Sequence, residues 1–312
     1  MKILAKASLA TSIFLMIGCG SSFAQTNNVT SLKAETIKSE GAAYERGNGY
    51  KKYFSDGLAM VEKGGKCGYI NENEDVVIPY EYNSAEPFGE GLAAVKKGEV
   101  YGYIDKTNAV KIDFMYDKAG IFSNGLAPVQ KDGKIGYIDK NGKEIIPFNY
   151  DSGFAFSEGL SAVEKDKKWG FIDNTGKEII HCDFEMVGDF NGKLAPAKKD
   201  NKWGYIDNTG KEVIPFIYTK AKKFSNGLAP VQKDGKYGCI DENGKEVIPF
   251  VYDNIRELNE GLMPAEKNNK WGYIDKTGRE IIKFVYDDAE MFNESMAVVV
   301  DTDGNMKYIT KR

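Results

Sequence analysis

One short stretch, residues 168–178, recurs in closely related form along almost the whole chain. The glycine that follows its aromatic residue returns every 34 residues without insertion or deletion, at Gly68, Gly102, Gly136, Gly170, Gly204, Gly238 and Gly272. A fixed internal period overrides a domain count based on length, because repeats stack into one continuous core. The 312 residues therefore predict one array rather than two ordinary domains.

The composition of each unit excludes a helical repeat. Tetratricopeptide helix pairs also have a period of about 34 residues. Here, however, each unit carries three or more glycines and usually a proline, which break helix interiors, as at Gly125, Pro128, Gly133, Gly136, Gly142 and Pro147. The pieces between these breakers are short and rich in β-favouring residues, at 126–131, 134–139, 143–148 and around 150–156. We expect four short antiparallel strands per unit, joined as a meander.

The turns between these pieces have a chemical signature. Asp139 and Gly142 stand at the first and fourth positions of a type I turn, with the glycine free to adopt a left-handed conformation. Asn108 and Glu74 replace this glycine in the first two units. Asparagine tolerates positive φ better than glutamate, so the first unit's turn is expected to differ in shape. Residues 131–134 and 123–125 predict tight hairpin connections.

The apolar pattern predicts sheets that are covered on both faces. Ile179 and Ile180 stand side by side, whereas a strand with one solvated face alternates strictly. Each small sheet is therefore expected to lie between its neighbours. The predicted fold class is all-β, with tandem 34-residue repeats of short antiparallel strands stacked as an open superhelical β-array or a propeller-like ring. A length of 34 residues is short for a four-stranded propeller blade, and the two ends are not obviously matched for closure, so both arrangements stay open.

The two ends of the array are expected to be incomplete. A phenylalanine or leucine opens eight units, at Phe54, Phe88, Phe122, Phe156, Phe190, Phe224, Leu258 and Phe292, against seven glycine centres. The array is therefore predicted to run from near Tyr50 to near Ile309. Residues 307–309 repeat the central pattern one residue out of phase, as expected of a degenerate capping copy.

The central sequence motifs of the repeat resemble those of a known family. Lys-Trp-Gly-Tyr-Ile-Asp at 202–207 and 270–275, with Gly-Lys-Glu-Val-Ile-Pro-Phe at 210–216 and 244–250, is similar to the WG (KWG) β-repeat family of bacterial exported proteins. The resemblance covers residues 50 to 309. It implies an all-β repeat protein, often exported, with no shared enzymatic activity. The name-giving tryptophan is replaced in four of seven centres, by Cys67, Tyr101, Ile135 and Tyr237, which indicates a packing role for this position.

The N-terminal residues predict export. Residues 1–24 have a charged start with Lys2 and Lys6 and an apolar run at 9–17 that is too short to span a bilayer, as in a signal peptide. Two cleavage sites compete: one after Ala24, and one in a lipoprotein-like box that would make Cys19 the lipid-bearing residue. Residues 25–48 are polar and aperiodic and are interpreted as a disordered tether. The repeat array is assigned to 49–312, with about seven complete copies plus partial caps.

Charge argues against two classes of partner. The formal net charge is −4, and removing the two lysines of residues 1–24 leaves −4 − 2 = −6. Nucleic-acid binding needs a basic stripe, and no window forms a polybasic membrane patch. We expect no nucleic-acid partner, and membrane attachment only through a lipid at Cys19.

The aromatic residues at the centres are the first candidate binding group. Tyr101, Trp169, Trp203, Tyr237 and Trp271 occupy equivalent positions and would form a ladder along the array. An exposed ladder could stack on sugar rings or a peptide, whereas a buried one is core between repeats. The replacements Cys67 and Ile135 favour burial.

The second candidate group lies in the least regular unit. His181, the chain's one histidine, stands where neighbouring units have Pro147 and Pro215, and Glu185 and Lys193 also depart from the pattern. This patch is interpreted either as drift or as a partner-specific surface, because grafted sites tend to lie where a scaffold departs from its own pattern. A catalytic or zinc site needs convergent partners that one histidine lacks. Cys67, Cys182 and Cys239 replace aromatic residues and are interpreted as small buried hydrophobes.

No catalytic, cofactor or metal site is predicted. The recurring aspartates at Asp105, Asp139, Asp173, Asp207, Asp241 and Asp275 lack the further carboxylates of a calcium loop and are interpreted as turn caps. The sequence predicts a non-catalytic repeat scaffold of the bacterial cell envelope that binds a protein, cell-wall polymer or glycan. A structural or adhesive surface protein is the alternative, and a carbohydrate-active enzyme a remote one, because identical repeats supply no singular pocket.

Overall fold

The computed structural model describes residues 54–293 and 295–310, and these form an all-β structure. The described part of the chain has no helix, and therefore none long and apolar enough to cross a membrane. Its 31 strands form eight separate antiparallel sheets, seven with four strands and the last with three, and the sheets are not joined into a barrel. The signal, Cys19 and tether predictions concern residues outside the described ranges.

Strands follow one another within each sheet in the order of the chain. The first four sheets consist of β1–β4 (Phe54–Ser55, Leu58–Lys63, Lys66–Ile70, Val76–Tyr82), β5–β8 (Ser84–Ala85, Leu92–Lys97, Val100–Asp105, Val110–Tyr116), β9–β12 (Lys118–Ala119, Leu126–Lys131, Lys134–Asp139, Glu144–Tyr150) and β13–β16 (Ser152–Gly153, Leu160–Lys165, Lys168–Asp173, Glu178–Phe184). The last four consist of β17–β20 (Met186–Val187, Leu194–Lys199, Lys202–Asp207, Glu212–Tyr218), β21–β24 (Lys220–Ala221, Ala229–Lys233, Lys236–Ile240, Glu246–Tyr252), β25–β28 (Asn254–Ile255, Leu262–Lys267, Lys270–Asp275, Glu280–Tyr286) and β29–β31 (Asp288–Ala289, Met296–Val300, Met306–Thr310).

The predicted meander of four strands per unit is confirmed, with two shifts of boundary. The third long strand runs to Tyr150 rather than ending near 148, and the fourth piece is only the two-residue strand β13. The chain turns sharply between them because Tyr150 is buried between sheets and the following strand belongs to the next unit. Each unit from the second to the eighth therefore begins with a two-residue strand, called the short strand below.

The hairpin chemistry predicted from the sequence is confirmed. Asp132 and Gly133 have φ of 50° and 78°, so both central residues of this hairpin are left-handed, as in a type I′ turn. In the next hairpin the Gly142 backbone N–H donates to the carbonyl of Asp139 at 2.9 Å, and Gly142 has φ of 79°. The Asp139 carboxylate accepts from the N–H groups of Asn141 and Lys143 at 2.8 and 2.9 Å, which caps the turn.

The expectation of a different turn in the first unit is wrong. Glu74 adopts φ of 65° and its N–H donates to the carbonyl of Asn71 at 3.0 Å, so the turn has the common shape. The Asn71 side chain replaces the aspartate cap and accepts from the N–H groups of Asn73 and Asp75. Pairing of β3 with β4 and this cap impose the left-handed conformation on a glutamate, at a cost of about 1–2 kcal/mol.

The sheets stack face to face, which confirms that both faces are covered. One core cluster combines Tyr137 and Ile146 of the third sheet with Val163 and Ile172 of the fourth, all fully buried, and similar clusters lie between the other consecutive sheets. The unit-opening Phe156 packs edge-on against Tyr137 at 5.2 Å between ring centroids. These side chains belong to different units, so no single sheet buries its apolar residues alone.

A buried tyrosine hydroxyl ties each of five units to the next. Tyr205, for example, donates its hydroxyl to the carbonyl of Lys222 at 2.7 Å. The same bond joins Tyr69 to Glu86, Tyr103 to Gly120, Tyr137 to Phe154 and Tyr273 to Glu290. Phe171 and Cys239 stand at this position in the other two complete units.

The recurring strand glycine is required by a close approach of the third and fourth strands. A Cβ on Gly204 would lie 2.6 Å from the carbonyl oxygen of Ile214. The pairing of β19 with β20 shifts register at this point, as it does at the matching point of every complete unit. The glycine thus allows an outer strand to bulge toward its neighbour.

The first and last sheets depart from the pattern. The pairing of β1 with Leu58 and Ala59 matches the isolated bridge between Gly89 and Leu92 of the second unit, so β1 is not a short strand of the regular kind. In the last sheet Asp301 caps a longer turn between β30 and β31, which moves the final strand by one residue. This explains the phase shift at 307–309. The close-approach glycine is replaced by Lys307, and the described residues provide no fourth strand there.

Candidate functional site

The aromatic ladder lies between the sheets rather than on an open surface. Tyr237 and Trp271 are buried, and Tyr101, Trp169 and Trp203 are half-buried. The Trp169 ring stacks on Phe154 with 5.2 Å between centroids and 13° between planes. Phe154 thus covers one face of Trp169, and the guanidinium of Arg256 lies over one face of Trp271, 4.5 Å from the ring centroid.

The irregular patch is spread over two sheets and is not one cluster. His181 is exposed on β16, hydrogen-bonded to Glu178 and 3.9 Å from Asp183, and the Glu178 carboxylate raises the pKa of His181. Glu185 accepts from the backbone N–H of Asn201 at 3.1 Å and pairs with Lys198 at 3.3 Å. No described hydrogen bond or ion pair joins His181, Glu185 and the exposed Lys193.

The place of His181 in its strand has a structural explanation. It stands at the middle outward-facing position of a fourth strand, at the outer edge of the sheet, where other units carry proline or a charged residue: Pro79, Asp113, Pro147, Pro215, Pro249 and Lys283. Prolines and charges on edge strands prevent pairing with strands of other chains. His181 belongs to this protective series.

Lys193 changes the type of a turn. In the matching turn of the third unit, Asn124 and Gly125 both have positive φ. Around Lys193 the glycine stands one residue earlier, so Gly192 has φ of 70° and Lys193 itself is not left-handed. This turn is therefore of type II′ rather than type I′. A lysine fits at its second central position because only the first central residue of a type II′ turn needs a positive φ.

A different set of variable residues lies at the short-strand edge of the array. Two residues separate each short strand from the buried phenylalanine or leucine that follows, and we call these the edge pairs. They are Glu86-Pro87, Gly120-Ile121, Phe154-Ala155, Gly188-Asp189, Lys222-Lys223, Arg256-Glu257 and Glu290-Met291. Their chemistry changes from unit to unit, whereas the phenylalanine or leucine that follows them recurs in every unit. All are half-buried except Asp189 and Glu290, which are exposed.

The first backbone N–H of every edge pair is bonded within its own sheet, and in five units the carbonyl of the same residue is also bonded to the preceding sheet. The N–H of Lys222 donates to the carbonyl of Pro230 in its own sheet at 3.0 Å, while its carbonyl accepts from Tyr205 of the preceding sheet. The N–H bond recurs in every unit from Glu86 to Glu290. A fixed backbone therefore presents a variable side chain, which is the arrangement of a binding surface on a scaffold.

Contacts link the edge pairs of the last three units. The Lys222 ammonium donates to the carbonyl of Ile255 at 2.8 Å, and the Arg256 guanidinium donates to the carbonyl of Ala289 at 2.7 Å. Lys223 lies 3.9 Å from Glu257. Each of these contacts joins one unit to the next.

This edge is divided by charge. The second to fourth units contribute mainly small or apolar side chains, such as Ile121, Phe154 and Ala155, with Glu86 at one end. The later units contribute Asp189, Lys222, Lys223, Arg256, Glu257 and Glu290. Burial raises the pKa of Glu86 and lowers that of Lys222, so both charged forms are poorly solvated. Desolvated charges on an accessible edge mark a candidate functional site.

The edge pairs were not among the residues predicted from the sequence, although their variation is visible there. The prediction rested on departures from well-repeated positions, such as His181 and Lys193. The edge pairs fall between the short strand and the opening phenylalanine, where no two neighbouring units agree. Variation from copy to copy directly before the recurring phenylalanine or leucine would have identified them.

The described residues contain no group of three or more His, Cys, Asp and Glu side chains arranged for a metal ion. The turn aspartates are occupied locally, since Asp207 accepts from the hydroxyl of Thr209 at 2.6 Å and from its N–H at 2.9 Å. Cys67 and Cys239 are buried, Cys182 is half-buried, and all three are free thiols.

Fold and edge define a class of protein: an all-β repeat scaffold related in architecture to β-propellers. Among solved structures, one described as the eukaryotic initiation factor aligns with a TM-score of 0.53 and 12% identity, over 81% of this chain and 84% of that one. Hsv2 of Kluyveromyces lactis aligns with a TM-score of 0.42 and 11% identity, over 82% and 94%. A search of curated proteins finds no match.

The family is shown by the repeat itself. The WG containing repeat matches in eight consecutive segments, 52–67, 68–101, 101–134, 135–169, 169–203, 203–237, 237–271 and 271–305. The chain belongs to the WG repeat family. The resemblance inferred from the central sequence motifs of the repeat is thereby confirmed.

Proposed function

We propose that this chain is a non-catalytic binding scaffold of the bacterial cell envelope that engages a protein or cell-wall partner through its edge pairs. The observation that carries the proposal is the contrast between a backbone N–H that is bonded in every unit and pairs of residues that change from unit to unit. A purely structural repeat has no need for such variation on a partly accessible edge.

The surrounding packing supports binding at this edge over binding at the aromatic ladder. Two ladder rings, Tyr237 and Trp271, are buried, and Phe154 stacks on one face of the half-buried Trp169. The edge pairs keep their side chains partly accessible along seven consecutive units. A partner can therefore contact several units at once, which increases affinity through multivalency.

We propose a non-catalytic role because the chain's one histidine lies away from this edge. His181 stands on the fourth strand of its sheet, at the opposite edge from the short strand. Of the charged edge residues, Lys222 donates to a backbone carbonyl and Arg256 pairs with Glu290 at 2.9 Å. The envelope location is proposed from the export signal expected in residues 1–24.

A binding experiment with edge variants tests the proposal. Residues 25–312 would be immobilised and exposed to peptidoglycan, glycans and envelope extract. Two variants alter the edge: Ala155→Arg adds bulk and Lys223→Ala removes a charge. Lys177→Ala, in an exposed turn of the same array, is the matched control.

We expect a retained component whose binding falls at least about tenfold in both edge variants and is unchanged in the control. Equal binding by all variants would place the partner elsewhere. If no component is retained by the unaltered chain, the structural or adhesive alternative is favoured instead.

A further inference from the structure

Gly188 leaves a space that side chains fill in three other units. There, the first residue of the edge pair lies over the aromatic ring of its own unit, at 4.5 to 6.0 Å from the ring centroid: Phe154 over Trp169, Lys222 over Tyr237 and Arg256 over Trp271. Gly188 holds the same position in the unit of Trp203 and has no side chain. Trp203 is half-buried and packs against the core between the fifth and sixth sheets. In the part of the chain that the structure describes, no aromatic ring or cation is stacked on it.

The exposure of the following unit shows that this space is open. The last residue of the next short strand is buried after each of the four edge pairs that begin with a side chain, at Ala119, Val187, Ile255 and Ala289. It is half-buried after the two edge pairs that begin with glycine, at Gly153 after Gly120 and at Ala221 after Gly188. A missing side chain in one unit therefore uncovers the short strand of the next.

The two glycine positions differ in what surrounds them. A Cβ on Gly153 would lie 2.5 Å from the Tyr137 hydroxyl and 3.1 Å from Ile135 Cγ2, so the strand that follows Gly120 closes tightly on its neighbour. Ala221 carries the Cβ for which Gly153 has no room, so its strand cannot approach as closely. Only the space beside Gly188 therefore combines an open short strand with an aromatic ring. We call it the Trp203 slot, formed by Gly188, Trp203 and Ala221.

Hydrogen-bond acceptors lie at the slot. In the next two units the carbonyl that ends the following short strand accepts from the side chain that fills the space, Ile255 from Lys222 at 2.8 Å and Ala289 from Arg256 at 2.7 Å. The matching carbonyl at the Trp203 slot is that of Ala221, and no side chain of the described residues donates to it. Asp189, which is exposed, follows Gly188 directly. An occupant that carries hydroxyl donors would satisfy both acceptors.

Charge argues against a cationic occupant. Arg256 is neutralised in its own space by Asp288 and Glu290, both at 2.9 Å. The corresponding positions beside the Trp203 slot hold Lys220 and Lys222. A cation there would face positive charges where Arg256 has carboxylates. A flat occupant without positive charge is favoured instead.

We propose that the Trp203 slot binds one pyranose ring of a cell-wall glycan. Its C–H face would stack on the Trp203 indole, and its hydroxyl groups would donate to the Ala221 carbonyl and the Asp189 carboxylate. Phe154 shows within the chain that a six-membered ring fits this space, since it lies within 13° of parallel to the Trp169 ring. The proposal rests on the proposed binding function and specifies its ligand.

A titration with soluble glycans tests the slot. The probes are chitotetraose and cellotetraose, whose pyranose rings carry equatorial substituents and therefore present a flat C–H face. Binding would be followed by NMR. Gly188→Met fills the slot with an uncharged side chain, and Trp203→Ile, which copies Ile135, removes the aromatic ring. Lys211→Met, in an exposed turn of the same unit, is the matched control.

We expect at least one of the two glycans to bind the unaltered chain and the Lys211→Met variant equally well. Its binding to Gly188→Met and to Trp203→Ile should be at least about tenfold weaker. In the unaltered chain the indole N–H signal of Trp203 should shift on binding. The signals of Trp169 and Trp271 should stay in place, because side chains of the chain itself already lie over these two rings.

Gly188→Met should keep the melting temperature of the unaltered chain. Gly188 does not have a positive φ, so a side chain is compatible with its backbone. The new Cβ would lie 2.8 Å from Pro196 Cγ, and the fold accommodates the same arrangement where Lys222 stands opposite Pro230. An unchanged melting temperature shows that the variant is folded when binding is lost.

Three results would overturn the inference: no binding of either glycan to the unaltered chain, unchanged affinity in Gly188→Met, or binding of N-acetyltyrosine amide at the slot without binding of a glycan. The last result would assign the slot to an aromatic side chain of a protein partner. Failure here is distinguishable from failure of the proposed function. If envelope components still depend on Ala155 and Lys223 while neither glycan binds, the edge remains the binding surface and only the sugar site is wrong.

Discussion

Gly204→Ala tests the physical basis of the repeat most directly. The added Cβ would lie 2.6 Å from the Ile214 carbonyl oxygen and 2.9 Å from the Phe216 nitrogen. Both contacts are with backbone atoms, which cannot move aside as a flexible side chain does. Strands β19 and β20 would have to separate by about 0.8 Å at the bulge to restore an ordinary contact distance.

The expected cost follows from three contributions. Overpacking at a rigid site costs about 1–3 kcal/mol. Weakening a neighbouring backbone hydrogen bond adds about 1 kcal/mol. The lower entropy of alanine in the unfolded chain returns about 0.4–1 kcal/mol. We expect a net loss of about 2–3 kcal/mol, or a melting temperature lower by about 5–10 °C for an array of this size.

Gly227→Ala is the matched control. Gly227 has φ of 78°, and a Cβ built there meets no atom within 4 Å. Its substitution costs only the left-handed conformation, about 1 kcal/mol. Thermal melts followed by circular dichroism compare the two variants. Equal melting temperatures, or a Gly204→Ala variant as stable as the unaltered chain, would refute the close-approach explanation.

Two further predictions concern single hydrogen bonds. The hydrogen bond from Thr209 lowers the pKa of Asp207, so the stabilisation by Asp207 is complete above its unfolded pKa of about 4 and is lost as pH falls through the lower folded value. Asp207→Asn, which imitates the neutral Asn71 cap, should flatten the fall in melting temperature between about pH 4 and pH 2, and an unchanged slope would contradict this. Tyr205→Phe removes the 2.7 Å bond to the Lys222 carbonyl and should cost about 1 kcal/mol, measured by thermal or urea unfolding. An effect below about 0.3 kcal/mol would mean that this hydroxyl does not tie the units together.

Local sequence chemistry accounts for the parts of the fold that were predicted correctly. The type I′ hairpin at Asp132 and Gly133 and the capped turn at Asp139 depend on residues within five positions of one another. The one wrong turn, at Glu74, shows the limit of that approach. Strand pairing on both sides and the Asn71 cap overrode the conformational preference of a single residue.

The candidate site was less predictable because its contacts cross between units. The sequence places His181 in an irregular patch, but in the structure this residue belongs to a series of prolines and charged residues on the outer strands. Lys222 and Arg256 look alike in the sequence. They differ only because residues 32 to 34 positions further along stand beside them in the structure.

The sequence by itself determined the period, the all-β class, the turns and the strand glycine, because each of these follows from residue types that are close together in the chain. Only the tertiary structure decided which side chains are covered and which share a surface. It placed the aromatic ladder between sheets and put the edge pairs beside one another, since stacking joins residues about one repeat apart.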